Sequence, residues 1–160
     1  MATPDKFPAW KTIKLGTYRS VSDLLNALTA GGFQMSYFAE EVVQKISLAN
    51  AGVEIDLVRV TVAELGFEGP ARHDAIYDRA RESGLDLLPA EAGPQLRLQY
   101  TDEPENEWTV VAMEPVIDST DTISIFRVVR HSSGLWLETT PGDPRLEWHP
   151  EDRWVFGRRR

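Results

Sequence analysis

The stretch Pro89–Tyr100, PAEAGPQLRLQY, decides how the rest of the chain is read. Pro89, Gly93 and Pro94 are turn residues that fix a tight approach. Beyond them Leu96, Leu98 and Tyr100 alternate with Gln95, Arg97 and Gln99, the period of a half-buried strand. The stretch reads as a rigid corner that launches an inner strand. It delivers the loop carboxylate of Glu91 and the guanidinium of Arg97 to the same side of the molecule.

Upstream of that corner the signals are mainly helical. Ser20 and Asp23 stand at capping-box spacing, and Val21, Leu24, Leu25 and Leu28 form one apolar stripe. Gly31 and Gly32 stop this helix. Ser36 caps a second helix with Phe38, Ala39, Val42, Val43 and Ile46 on its apolar side. Val53 to Val62 reads as a strand whose phase shifts at Leu57–Val58, after a short extended arm at Trp10–Leu15. TVAEL, closed by Gly66, is a single helical turn. Gly69–Pro70 opens a third helix, with Pro at its first position, striped by Ile76, Tyr77 and Ala80.

Downstream the pattern turns to strands: Trp108 to Glu114, Ile123 to Arg130, Leu135 to Thr139 and Trp154 to Phe156. His131–Gly134 makes a hairpin turn. Strands at short spacing predict an antiparallel meander. The fold class expected is α+β, with N-terminal helices packed on a mainly antiparallel sheet built from the C-terminal half. The 160 residues fit a single globular domain spanning 1–160, with 1–9 and 157–160 frayed.

Composition narrows the function classes. Lys and Arg number 17 against 25 Asp and Glu, a net charge of −8. A field of that sign repels phosphate backbones and argues against nucleic acid. There is no Cys, which removes disulfides, thiolate nucleophiles and the common zinc cages. The composition fits a cytoplasmic protein. MATPDKFPAWKTIK lacks the apolar run of a signal peptide. No apolar stretch approaches the ~18 residues of a membrane span.

Candidate chemistry rests on a few polar groups. Glu91 on its stiff loop and Glu114 at a strand end, beside Pro115, are the candidate acid and base. Arg97 and Gln99 project from the polar side of the predicted strand as ligand contacts. An Arg97–carboxylate ion pair is the bland alternative. Of the five Trp, Trp108 and Trp136 sit in apolar alternation and read as core. Trp148, in LEWHPEDRW, reads as exposed and ligand-facing. His73, His131 and His149 share no metal-ligand spacing, and no cofactor motif is present, so neither a metal nor a cofactor is expected.

Three readings follow. The first is a non-catalytic binding or protein-interaction module whose partner is a protein or a small ligand. The second is a hydrolase-type enzyme with a Glu91/Glu114/Arg97 site. The third is a DNA-binding regulator acting through residues 61–84, where Arg72, Arg79 and Arg81 interleave with Asp74, Asp78 and Glu82.

FPAWKTIKLGTYRS, TVAELGF and PAEAGPQLRLQY, with AMEP and GLWLE in the final third, resemble a family of short, uncharacterised bacterial proteins. The resemblance implies a bacterial, soluble, single-domain protein and attaches no activity to it.

Overall fold

A computed structural model describes residues 7–158. Its elements are β1 (Lys11–Leu15), α1 (Val21–Ala30), β2 (Gln34–Met35), α2 (Tyr37–Val43), β3 (Val53–Thr61), a 3-10 turn (Ala63–Leu65), β4 (Ala71–Arg72) and α3 (His73–Glu82). There follow β5 (Leu85–Asp86), α4 (Ala92–Gln99), β6 (Trp108–Val111), β7 (Val116–Ile117), β8 (Ile123–His131), β9 (Gly134–Pro141), β10 (Glu147–Trp148) and β11 (Arg153–Arg158).

The local signals in the first half translate directly into structure. Ser20 Oγ accepts the Asp23 N–H at 3.1 Å, and Ser36 Oγ accepts that of Ala39 at 3.2 Å. Each satisfies a donor that the helix itself leaves unpaired. Thr61 and Glu64 form the reciprocal pair: Thr61 Oγ1 accepts the Glu64 N–H at 3.1 Å, and Glu64 Oε1 accepts the Thr61 N–H at 2.9 Å. The third helix begins at His73, three residues later than Pro70 predicts. Ala71 and Arg72 are instead taken by an antiparallel pairing with Trp148 and Glu147.

The decisive stretch is a helix, not a strand. Pro94 lies in the first turn of α4, where its missing N–H is not needed. The alternation in sequence misleads because α4 is enclosed on nearly every side. Glu91 through Arg97 are all buried, so polar and apolar positions alike face protein. A helix without a wet face carries no 3.6-residue stripe.

The fold is α+β, but its arrangement departs from expectation in two ways. The helices are not all N-terminal, since α4 follows β1 to β5. The sheet is mixed, in the order β1-β3-β11-β6-β8-β9-β2, with β5 beside β11 and β7 beside β8. β11 runs parallel to β6, and β2 parallel to β9. Strands from both halves of the chain contribute, because β3 lies directly against β11.

The sheet curls around α4, which touches β1 as well as β8 and β9. Phe126 on β8 meets α4 at Gly93. On the other face, Trp154 and Phe156 of β11 pack edge-on against Tyr77 of α3. The register carries this division: Trp154 aligns with Val110, and Val110 with Arg127, so Phe126 points the opposite way.

Residues 1–6 and 159–160, part of the expected frayed ends, lie outside the described residues. Gly157 and Arg158 are not frayed but pair with Asp86 and Leu85.

Candidate functional site

Glu91 and Arg97 occupy different sides of α4, and each is engaged by the fold. Six residues along a helix amount to about 240° of rotation beyond a full turn. The Glu91 carboxylate accepts the Gly16 N–H at 2.7 Å and the Ala49 N–H at 2.8 Å, with Gln95 Nε2 at 3.2 Å. It ties the loops after β1 and before β3 to the start of α4. Gly16 has φ +71°, and a Cβ there would stand 2.3 Å from the Ala51 carbonyl oxygen. Only glycine brings that N–H to the carboxylate without strain.

Gln99 continues the same polar ridge. Its Nε2 donates to Gln95 Oε1 at 2.9 Å and to the Lys14 carbonyl at 3.0 Å, while its Oε1 accepts the Lys14 N–H at 2.9 Å. The side-chain amide thereby pairs the outer edge of β1 as a neighbouring strand would. Gln99 is committed to the backbone rather than presented to a ligand.

Arg97 forms the bland alternative, a buried ion pair, with a partner the sequence reading did not name. Its Nη1 donates to Glu103 Oε1 at 2.9 Å and to the Trp136 carbonyl at 3.1 Å. Its Nη2 donates to the Tyr100 carbonyl. Both side chains are 0 % exposed. Burial pulls the Arg97 pKa down and pushes that of Glu103 up, each opposed by the attraction of the other charge. Glu103 enters the interior from a stretch whose neighbours Asp102, Pro104 and Glu105 are exposed.

Glu114 and Trp148 converge elsewhere, on α3. Glu114 is exposed at the rim of a cleft of about 160 Å³ lined also by His73, Asp74, Tyr77, Asp78, Arg81 and Pro144. Trp148 is half-buried rather than exposed, and its Nε1–H donates to His73 Nδ1 at 3.3 Å. That bond places the ring proton on Nε2, which has no hydrogen-bond partner among the described residues. Burial lowers the His73 pKa to about 4, so the imidazole is neutral near pH 7. Tyr77 donates its O–H to the Met113 carbonyl at 3.0 Å and accepts the Met113 N–H at 3.1 Å. Burial raises the pKa of this phenol.

The aromatic expectations also need correction. Trp108 is 42 % exposed rather than core, Trp136 is half-buried, and Trp154 is the fully buried indole. His73 and Tyr77 were missed as a pair, although their spacing of one helical turn on an apolar stripe is visible in sequence. The bases of residues 61–84 are occupied. Arg72 pairs with Asp74, Arg81 with Asp78, and Arg79 donates to the Leu65 carbonyl at 3.0 Å. Backbone carbonyls of Leu146 and Pro144 take the His73 and Asp74 N–H groups, closing the start of α3.

Among the described residues no group of three His, Asp or Glu is placed to hold a metal ion. No helix among them is long and apolar enough to cross a membrane. Comparison of the chain with family models, with curated proteins and with solved structures gave no match in any of the three.

Proposed function

We propose that this protein is a non-catalytic binding module whose small-ligand site is the α3 cleft. One observation carries this reading: Glu91, Arg97 and Glu114 do not share a cleft. The first two are held inside the fold by partners of their own, which leaves Glu114 in the α3 cleft with Asp74 and Asp78, carboxylates already paired with Arg72 and Arg81. A general acid or base for neutral conditions needs a pKa near the working pH. His73 and Tyr77, the two titratable rings of the cleft wall, are shifted away from neutrality in opposite directions.

The exposed carboxylate beside ring and proline walls suits a small cationic or hydrogen-bond-donating group. Benzylammonium and benzoate form a matched pair of probes, followed by amide chemical shifts. Benzylammonium is expected to move the amides of Asp78, Arg81 and Gly142, and Glu114→Gln to abolish the effect. No response to benzylammonium, or an equal response to benzoate, would remove the cleft from consideration. Turnover of an ester or amide panel that vanishes with Glu114→Gln would favour the hydrolase instead.

A further inference from the structure

We infer that the outer edge of β3 around Arg59 is a strand-addition site for an extended peptide from a protein partner. β1 covers this edge only as far as Leu57, its last paired residue. Trp10 adds one more hydrogen bond, N–H to the Leu57 carbonyl, at 2.6 Å. Beyond it the arm diverges, and Pro8 has no N–H with which to continue the ladder. Between the arm and the strand lies a groove of about 490 Å³, lined by Phe7, Pro8, Trp10, Val58, Val60 and Glu64 as well as Arg59.

The groove faces unpaired backbone. In an antiparallel pair the N–H and C=O of successive residues point alternately toward and away from the neighbour. Val62 donates its N–H to Asp152 on the β11 side. Val60 and Val58, at the same parity, turn to β11 as well. Leu57, Arg59 and Thr61 therefore turn outward. Leu57 is taken by Trp10, and the Thr61 N–H by Glu64 Oε1. The N–H and C=O of Arg59 are left facing the groove.

A free donor and acceptor on one residue are the pattern that an added strand completes with two bonds. Three residues of such a strand span roughly 10 Å. The peptide residue opposite Arg59 lies on the same face as its side chain. That guanidinium stands over the Trp10 ring at 4.5 Å, and Lys11 Nζ is 5.6 Å from the same ring. The guanidinium also donates to Tyr100 Oη at 3.2 Å and reaches Glu107 Oε1 at 3.4 Å, so Lys11 is the cation that favours an acidic residue opposite Arg59. Its neighbours turn to the other face, beside Val58 and Val60, and are apolar. The site recognises an extended apolar–acidic–apolar segment, and it is independent of the α3 cleft.

The test uses the unaltered protein and the capped peptide acetyl-Ser-Val-Glu-Val-Ser-amide. Hydrogen exchange and amide shifts are read at Arg59. The Arg59 amide is expected to exchange freely alone and to become at least fivefold protected with peptide. N-methylation of the central Glu, which removes the donor to the Arg59 carbonyl, is expected to weaken binding at least tenfold. Replacing that Glu by Lys is expected to weaken it at least threefold. Equal binding of the N-methylated peptide would overturn the proposal. So would an Arg59 amide already protected without peptide, or protection that tracks only protein concentration, which would mean a second copy on this edge.

Discussion

The Glu91 carboxylate accepts the backbone N–H of Gly16 across 75 residues of sequence, at 2.7 Å. With Ala49 on its other oxygen, one buried side chain joins three segments that share no secondary structure. Glu91→Ala strands two backbone donors and is expected to cost about 3–5 kcal/mol. Glu91→Gln turns one acceptor into a donor facing an N–H and should cost about 2 kcal/mol. Urea denaturation gives both values. A change below 0.5 kcal/mol in each would dismiss the tie.

Arg97 and Glu103 make a different prediction, because the two charges were both removed from water. Either single replacement, Arg97→Met or Glu103→Leu, leaves a lone buried charge and is expected to cost about 3–5 kcal/mol. The double replacement should recover most of that loss, to within about 1–2 kcal/mol of the parent. A double-mutant cycle in denaturant decides it. Additive losses would show that the pair is not coupled.

His73 makes stability depend on pH. Its folded-state pKa of about 4 lies below the unfolded value near 6.5, so in that interval the unfolded chain binds the proton and the folded one does not. Stability is therefore fully present above about 6.5 and is lost as pH falls toward 4. Between pH 7 and pH 5 the loss from this group is about 2 kcal/mol. His73→Phe, which cannot titrate, should lose less over the same range by that amount. Parallel slopes for parent and variant would refute the assignment.

Gly93 sets helix propensity against packing. In an open helix Gly→Ala gains about 1 kcal/mol. Here the added Cβ would stand 2.5 Å from the Phe126 ring. Gly93→Ala is expected to destabilise by about 1–3 kcal/mol instead. Combining it with Phe126→Leu should relieve part of the loss, as measured by thermal melts. A higher Tm for Gly93→Ala alone would mean that the helix does not approach β8 so closely.

Local chemistry was legible in the sequence wherever a side chain answers a neighbour a few residues away. Ser20, Ser36 and the Thr61–Glu64 pair each bond within three residues, and their elements follow. The hairpin after His131 was legible for the same reason. α4 was not, because the charged groups it buries are answered at Gly16, Ala49 and Glu103, and no local pattern announces those partners. The candidate site shared that fate. Glu91 and Arg97 carry no mark distinguishing a buried tie from a reactive group, and the cleft that gathers Glu114 depends on where α3 meets the loop at Pro144. The parallel pairs, too, join strands remote in sequence, such as Trp154 with Val110.

β11 is the last strand of the described chain, yet it lies between β3 and β6 in the middle of the sheet. During synthesis the earlier strands wait without their central neighbour, and β3 and β6 each keep one edge unpaired until Trp154 to Phe156 leave the ribosome. A nascent chain stalled before Arg153 would hold two separate half-sheets, a natural client for chaperones that shield greasy, incomplete surfaces.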